Sequence, residues 1–227
     1  MYTSRLCKIL SVFLKSVVIV CATVGILLSA GAGRGSFMGG SRVLMFFTIQ
    51  SNIAIALICM IDLVFVLPSR EIPVFWAVVK YIGTVSITLT GVVFVFVLAP
   101  TLGAYAWNVQ NILTHVVVPV AAVIDFFLTC SRNRITKWNV FLVTIPPLLY
   151  AIYAGIGYLL KWEFTKGANY PYFFLNWGSP AGAFRLMKTF PFMGTAWWIF
   201  AILLFLLAVG YAYLKLLDTL QTKEQPK

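Results

Sequence analysis

Ile112-Leu113-Thr114-His115-Val116-Val117-Val118-Pro119-Val120-Ala121-Ala122-Val123-Ile124 is an apolar stretch broken by one ionisable side chain. It lies inside a longer run near 108–130. A helix needs about 20 predominantly apolar residues to cross a bilayer, so the run predicts a transmembrane span. An ionisable group at that depth costs roughly 2–4 kcal/mol and marks a candidate functional site. His115 is the one histidine of the chain.

Working outward, five more runs have the same length and character, near 11–31, 43–67, 73–98, 138–160 and 192–217. The 227-residue chain is 61% hydrophobic and only 10% charged. A soluble domain carries about 25% charge. In lipid every backbone amide must be satisfied within the segment, which leaves helices for runs of this kind. The expectation is an all-α, six-helix membrane bundle forming one domain over 1–227, with a single long connection at 161–191. The first run has flanks like those of a signal peptide, with Arg5, Lys8 and Lys15 ahead of it and Ser29-Ala30-Gly31-Ala32-Gly33 behind. It is read as a retained span.

The net charge is +11. The cations cluster at the ends of apolar runs, where they meet lipid headgroups, so nucleic acid is not implied. With six spans both termini share a side. That side holds Arg5, Lys8, Lys15, Arg70, Lys80, Arg132, Arg134, Lys137, Lys215, Lys223 and Lys227. The other holds Arg34, Arg42, Lys161, Lys166, Arg185 and Lys188. The imbalance predicts cytoplasmic termini and an outer loop 161–191, which as a long connection is a candidate binding element.

The second and fourth spans run in the same direction. Thr48 is about five residues into one and His115 about seven into the other, a difference in depth of about 3 Å. Thr48, Ser51 and Asn52 share a helical face, and Asn111 is one turn from His115. The polar patches Thr48-Ile49-Gln50-Ser51-Asn52 and Asn111–His115 therefore lie at matching depth. A hydroxyl beside a neutral imidazole can be deprotonated and become a nucleophile. The oxyanion that results needs donors, for which Gln50, Ser51, Asn52 and Asn111 are candidates. Each residue alone reads more simply: Thr as bonding back to a carbonyl one turn earlier, Asn, Gln and His as ties between helices. The joint alignment is what points to chemistry.

Asp62 and Asp125 lie deeper, by about 21 and 15 Å on helical rise, and are expected to pair near Arg132 and Arg134. Thr84, Ser86, Thr88 and Thr90 read as packing residues, and Glu163 as solvated. Cys7, Cys21, Cys59 and Cys130 lack metal-ligand spacing, and no phosphate loop or nucleophile elbow is present. No cofactor or metal is implied.

Three segments carry a resemblance to a known family: Phe46-Phe47-Thr48-Ile49-Gln50-Ser51-Asn52, Leu113-Thr114-His115-Val116-Val117-Val118-Pro119 through Asp125, and Tyr170-Pro171-Tyr172-Phe173-Phe174. With the six-span layout, the chain resembles the androgen-induced protein and androgen-dependent TFPI-regulating protein group and its bacterial six-span relatives. Those proteins are intramembrane threonine hydrolases of fatty acid esters of hydroxy fatty acids. The resemblance implies Thr48 as nucleophile, His115 as essential histidine, membrane lipid and a lipid ester as partners, and a bacterial inner-membrane location. Where the bacterial branch carries an acidic residue after the Tyr-Pro-Tyr segment, this chain has Asn176 nearby. Tyr170, Tyr172 and Asn176 join the substrate-site candidates. Two other readings stand beside the hydrolase: a proton-coupled transporter or channel using His115, Asp125 and Asp62, and a lipid-binding protein without turnover.

Overall fold

The computed structural model describes residues 5–32, 40–130 and 132–223. Arg34, Gly33 and Lys227, which entered the sequence reading, lie outside the described residues. Among the described residues the chain is all-α, with six helices long and apolar enough to cross a membrane: Arg5–Gly31, Phe47–Val66, Val74–Ala106, Val109–Thr129, Lys137–Leu159 and Thr195–Leu220. They are called here the first to sixth spans. This is a multi-pass membrane protein.

Most boundaries fall within three residues of the apolar runs; the starts of the first and second spans and the end of the third do not. The second span starts at Phe47 because Gly40–Met45 winds as a tighter 3-10 turn and Phe46 is extended, at φ −95 and ψ 138. The fifth opens with a 3-10 stretch over Lys137–Thr144, ahead of Pro146 and Pro147, which cannot donate to the turn before them. Two wider π turns, Phe94–Leu98 and Leu113–Val117, interrupt the third and fourth spans. Each ends two residues before a proline. Pro119 has no N–H for the carbonyl of His115, and Pro100 none for that of Phe96. The helix widens instead, so that Val118 N–H bonds Leu113 O and Ala99 N–H bonds Phe94 O.

The first four spans share one core cluster, built from Leu14, Val18, Ile55, Cys59, Ile87 and Val118 among others. Tyr81, Val85 and Leu89 on the third span also pack against Phe126, Val143, Leu206 and Leu217. The third span is therefore central, touching both halves of the bundle. Phe13, Leu27, Val64, Phe75 and Phe96 project outward with large exposure, as the lipid-facing side of such helices should.

Asp62 and Asp125 do not pair with Arg132 and Arg134. Arg132 bonds Asp218 at 2.9 Å, and Arg134 bonds Glu71 at 2.9 Å. The two aspartates instead meet Lys15 and Lys80, which the sequence reading placed among the headgroup-facing cations. Lys80 Nζ lies 2.5 Å from Asp62 and 2.6 Å from Asp125; Lys15 Nζ lies 2.5 Å from Asp125 and 3.6 Å from Asp62. Each of the first four spans contributes one charge. Ser11 and Trp76 donate to Asp125 and Asp62, both at 2.7 Å, and Lys80 also donates to Thr129 at 2.8 Å. All four charged groups are at most 2% exposed. The lysine stems fold into the bundle because two carboxylates at that depth, unpaired, would be far costlier than the lost rotamers.

The loop 161–191 covers one end of the bundle. Glu163, expected to be solvated, pairs with Arg42 and accepts the Gly167 N–H at 3.1 Å. Asn169 ties the loop to Tyr158 O at 3.2 Å. Thr84 bonds Lys80 O, Thr88 reaches Tyr213 OH, and Thr90 reaches Ser51, so these three hydroxyls are held within the bundle, while Ser86 Oγ is buried without a hydrogen-bond partner among the described residues.

Candidate active site

Thr48 is the second residue of its helix. The first N–H groups of a helix have no intrahelical acceptor and carry the positive end of the helix dipole. Ile49 and Gln50 both donate to Phe46 O at 3.1 Å. The Thr48 N–H points instead at Tyr172 OH, 3.3 Å away. Loop and helix thus meet at the nucleophile candidate itself. The Thr48 hydroxyl sits 3.2 Å from His115 Nε2 and 3.4 Å from Tyr172 OH.

The π turn sets the imidazole. Thr114 Oγ1 donates to Gln110 O at 2.8 Å, leaving its lone pairs for His115 Nδ1 at 3.0 Å. His115 Nδ1 also lies 3.1 Å from Asn111 O, which can only accept. The Nδ1 proton is assigned by that network, so Nε2 presents its lone pair to Thr48. Phe94, in the π turn of the third span, stacks on the imidazole with centroids 4.0 Å apart and planes 24° apart, and Trp107 braces Phe94 edge-on at 5.6 Å. The ring is held on one face by an aromatic and at one nitrogen by two acceptors. Gly91 lets the third span approach here: a Cβ at that position would stand 2.9 Å from His115 O.

Of the other sequence candidates, Ser51 and Asn52 support the nucleophile's backbone. Ser51 Oγ donates to Thr48 O at 3.0 Å and contacts Thr90 Oγ1 at 2.7 Å. Asn52 Nδ2 donates to Thr48 O at 2.8 Å and to Thr114 O at 3.1 Å. One amide therefore spans the residue bearing the hydroxyl and the neighbour of the imidazole. With both donors spent on these carbonyls, Asn52 is not aimed at an oxyanion. Gln50 is exposed, its amide turned to Leu44 O at 3.0 Å. The Asn111 side-chain amide donates to Ala106 O at 2.9 Å, and the backbone carbonyl of Asn111 is the part that serves the imidazole. Asn176 caps a turn by accepting Gly178 N–H at 3.0 Å. Gln50 and Asn176 therefore sit apart from the Thr48–His115 pair.

Tyr172 is the loop residue that reaches the pair. Its ring stacks on Phe174 at 5.0 Å and meets Phe46 edge-on at 5.8 Å. Burial pushes its phenol above the ordinary value, so it is a protonated donor across the neutral range. Thr114, Phe94 and Tyr150 were not singled out from sequence. Thr114 adjoins His115 and the π turn precedes Pro119, signals that could have been read. Nothing in the sequence marks Phe94 or Tyr150, whose hydroxyl donates to Met45 O at 3.0 Å beneath the loop.

Two cavities meet at Thr48 and Tyr172. The larger, about 650 Å³, lies under the loop and is lined by His115, Asn108, Asn111, Tyr170 and the exposed Tyr105. The smaller, about 60 Å³, runs between Val93, Pro147, Ala151, Ile202 and Leu203, and does not touch His115. A hydroxyl, a basic nitrogen and two donors, the Thr48 N–H and the Tyr172 O–H, converge where the large, partly polar chamber joins the small apolar one. Compared with known proteins, the chain matches no family model, no curated protein and no solved structure.

Proposed function

We propose that the protein is an intramembrane lipid ester hydrolase with Thr48 as nucleophile and His115 as general base. The observation that carries this reading is the 3.2 Å contact between Thr48 Oγ1 and His115 Nε2, with Nδ1 already committed to Asn111 O and Thr114 Oγ1. As Thr48 Oγ1 attacks the ester carbonyl, its proton passes to Nε2. The carbonyl oxygen becomes an oxyanion, which the Thr48 N–H, the Tyr172 O–H and the helix N-terminus are placed to stabilise. The tetrahedral adduct then collapses: the carbon–oxygen bond to the alcohol breaks and His115 returns the proton to the leaving oxygen. A water from the larger cavity gives a proton to Nε2, attacks the Thr48 ester and releases the acid, with the proton restored to Thr48.

The substrate class follows from the apolar surroundings and from the resemblance to hydrolases of fatty acid esters of hydroxy fatty acids. The proposed location is a bacterial inner membrane with cytoplasmic termini and the loop 161–191 outside. Lys15 and Lys80 are spent inside the bundle, which narrows the cation excess on the terminal side without changing its sign.

The test is labelling with a fluorophosphonate followed by peptide mapping, run beside ester turnover in detergent. The expected result is a single adduct on Thr48, absent after Thr48→Ala and after His115→Ala. Labelling that persists in Thr48→Ala, or full turnover in His115→Ala, would refute the mechanism. No labelling and no turnover would leave a lipid-binding protein.

A further inference from the structure

His115 must protonate the oxygen that leaves, so the alcohol half of an ester has to lie on the side of Thr48 where His115 stands. His115 lines the larger cavity and is absent from the smaller. The ester carbonyl is pinned at Thr48 and Tyr172, which with Leu98 line both cavities. The acyl half is then left with the smaller one. Resting on the hydrolase reading above, we infer that the ester binds in one orientation, with its acyl limb in the slot between the third, fifth and sixth spans and its alcohol limb under the loop.

The two chambers differ in ways that fit the two halves. The slot walls are hydrocarbon apart from the hydroxyls of Thr48, Thr90, Tyr150 and Tyr172. Thr90 is engaged with Ser51 and Tyr150 with Met45 O, so neither solicits a polar limb. At about 10–15 Å³ for each water-sized group, the slot takes about four to six methylene-sized groups in file. It suits an unbranched acyl chain beginning at the carbonyl. The loop-side chamber is more than ten times larger; the amides of Asn108 and Asn111 and the Thr101 hydroxyl are bound to Tyr105 O, Ala106 O and Leu98 O, and Gln110 and Tyr170 add the other polar groups of its wall. It suits a bulky alcohol bearing further polar groups. Selectivity therefore falls on the acyl side and tolerance on the alcohol side. A separate apolar groove on the lipid face, lined by Val95, Phe96, Val116 and Val120, also reaches His115 and offers a rival seat for one limb.

The experiment uses the full chain in micelles and a non-hydrolysable ether isostere of the ester, carrying a diazirine on one limb or the other. The acyl-limb version is expected to crosslink peptides holding Pro147–Ala151 or Ile199–Leu203. The alcohol-limb version is expected to crosslink 105–111 or 170–173. The reverse pattern, equal labelling by both versions, or labelling centred on Val116–Val120 would overturn the assignment. A second arm follows turnover of octanoyl and acetyl esters of one alcohol. Ala151→Phe should lower the octanoyl-to-acetyl ratio of kcat/KM at least tenfold, and an unchanged ratio would overturn it. Correct crosslinks from a chain that turns over no ester would sink the hydrolase reading and leave the limb assignment standing. Turnover with reversed crosslinks would do the opposite.

Discussion

Replacing Tyr172 by Phe tests the site at its least redundant point. The ring should stay where it is, since its stack on Phe174 at 5.0 Å and its edge contact with Phe46 at 5.8 Å involve no hydroxyl. What is lost is one oxyanion donor and the acceptor of the Thr48 N–H. Removing one such donor costs about 10²–10³ in kcat. The Thr48 N–H and the helix N-terminus remain, so the low end applies: about 100-fold, or about 2.7 kcal/mol at 1.36 kcal/mol per decade. The effect should fall on kcat with KM nearly unchanged, because the interaction forms as charge develops. Stability should drop by about 1–3 kcal/mol for the orphaned N–H, seen as a lower Tm in detergent. Burial raises the phenol above its ordinary value near 10, so the protonated donor persists to higher pH than a free tyrosine. Unmodified protein should accordingly show no fall in kcat near pH 9–10 from this group. The assay is turnover of a chromogenic ester across pH 6–10. A variant keeping more than a third of the kcat, or one that loses only KM, would refute the oxyanion role.

Lys80→Met should cost about 3–5 kcal/mol, because it leaves Asp62 and Asp125 sharing only Lys15. Asp62→Leu combined with Lys80→Met leaves Lys15–Asp125 matched and should regain more than half of that loss; thermal unfolding of both variants decides it. Gly91→Ala would set a methyl 2.9 Å from His115 O, so turnover should fall at least tenfold while Tm shifts by about 1–3 kcal/mol equivalent; wild-type kcat in that variant would contradict the close approach. Arg42→Ala breaks an exposed pair with Glu163 and should change stability by less than about 1 kcal/mol by the same melt, and a larger shift would mean the loop is pinned there.

The six spans were legible because a bilayer imposes a length and a composition that few other structures share. Some ends were less so: the second span begins at Phe47 rather than near 43 because a 3-10 turn precedes it, which hydropathy does not register, whereas the fifth begins within a residue of its apolar run. The closeness of Thr48 and His115 was legible from helical rise alone, since two parallel spans entered from one face carry them to similar depth. The direction of the imidazole was not. It depends on an extra residue in the turn Leu113–Val117, and a constant 3.6-residue period cannot reveal that. Pro119 was the visible cause, four residues after a carbonyl it cannot serve. The pairing of Asp62 and Asp125 was misread because a lysine is flexible: sequence places its Cα near the headgroups but not the ammonium, which here turns inward. The role of Asn52 was misassigned for a similar reason, since an amide can face its own helix's carbonyl as readily as a ligand.

The Lys15–Asp62–Lys80–Asp125 array has a consequence for how the chain enters the membrane. Each of the first four helices carries one buried charge, alternating in sign along the chain, that finds its complement only on another helix. Threaded into lipid singly, each would bear about 2.5–3.5 kcal/mol of uncompensated ionisation. Lys15 and Asp62 cancel once two helices are in place, Lys80 restores an excess positive charge, and the sum closes again when the fourth helix delivers its carboxylate. The first four helices, which end at Thr129 of 227 residues, must therefore settle together, with Asp125 as the residue that completes the balance.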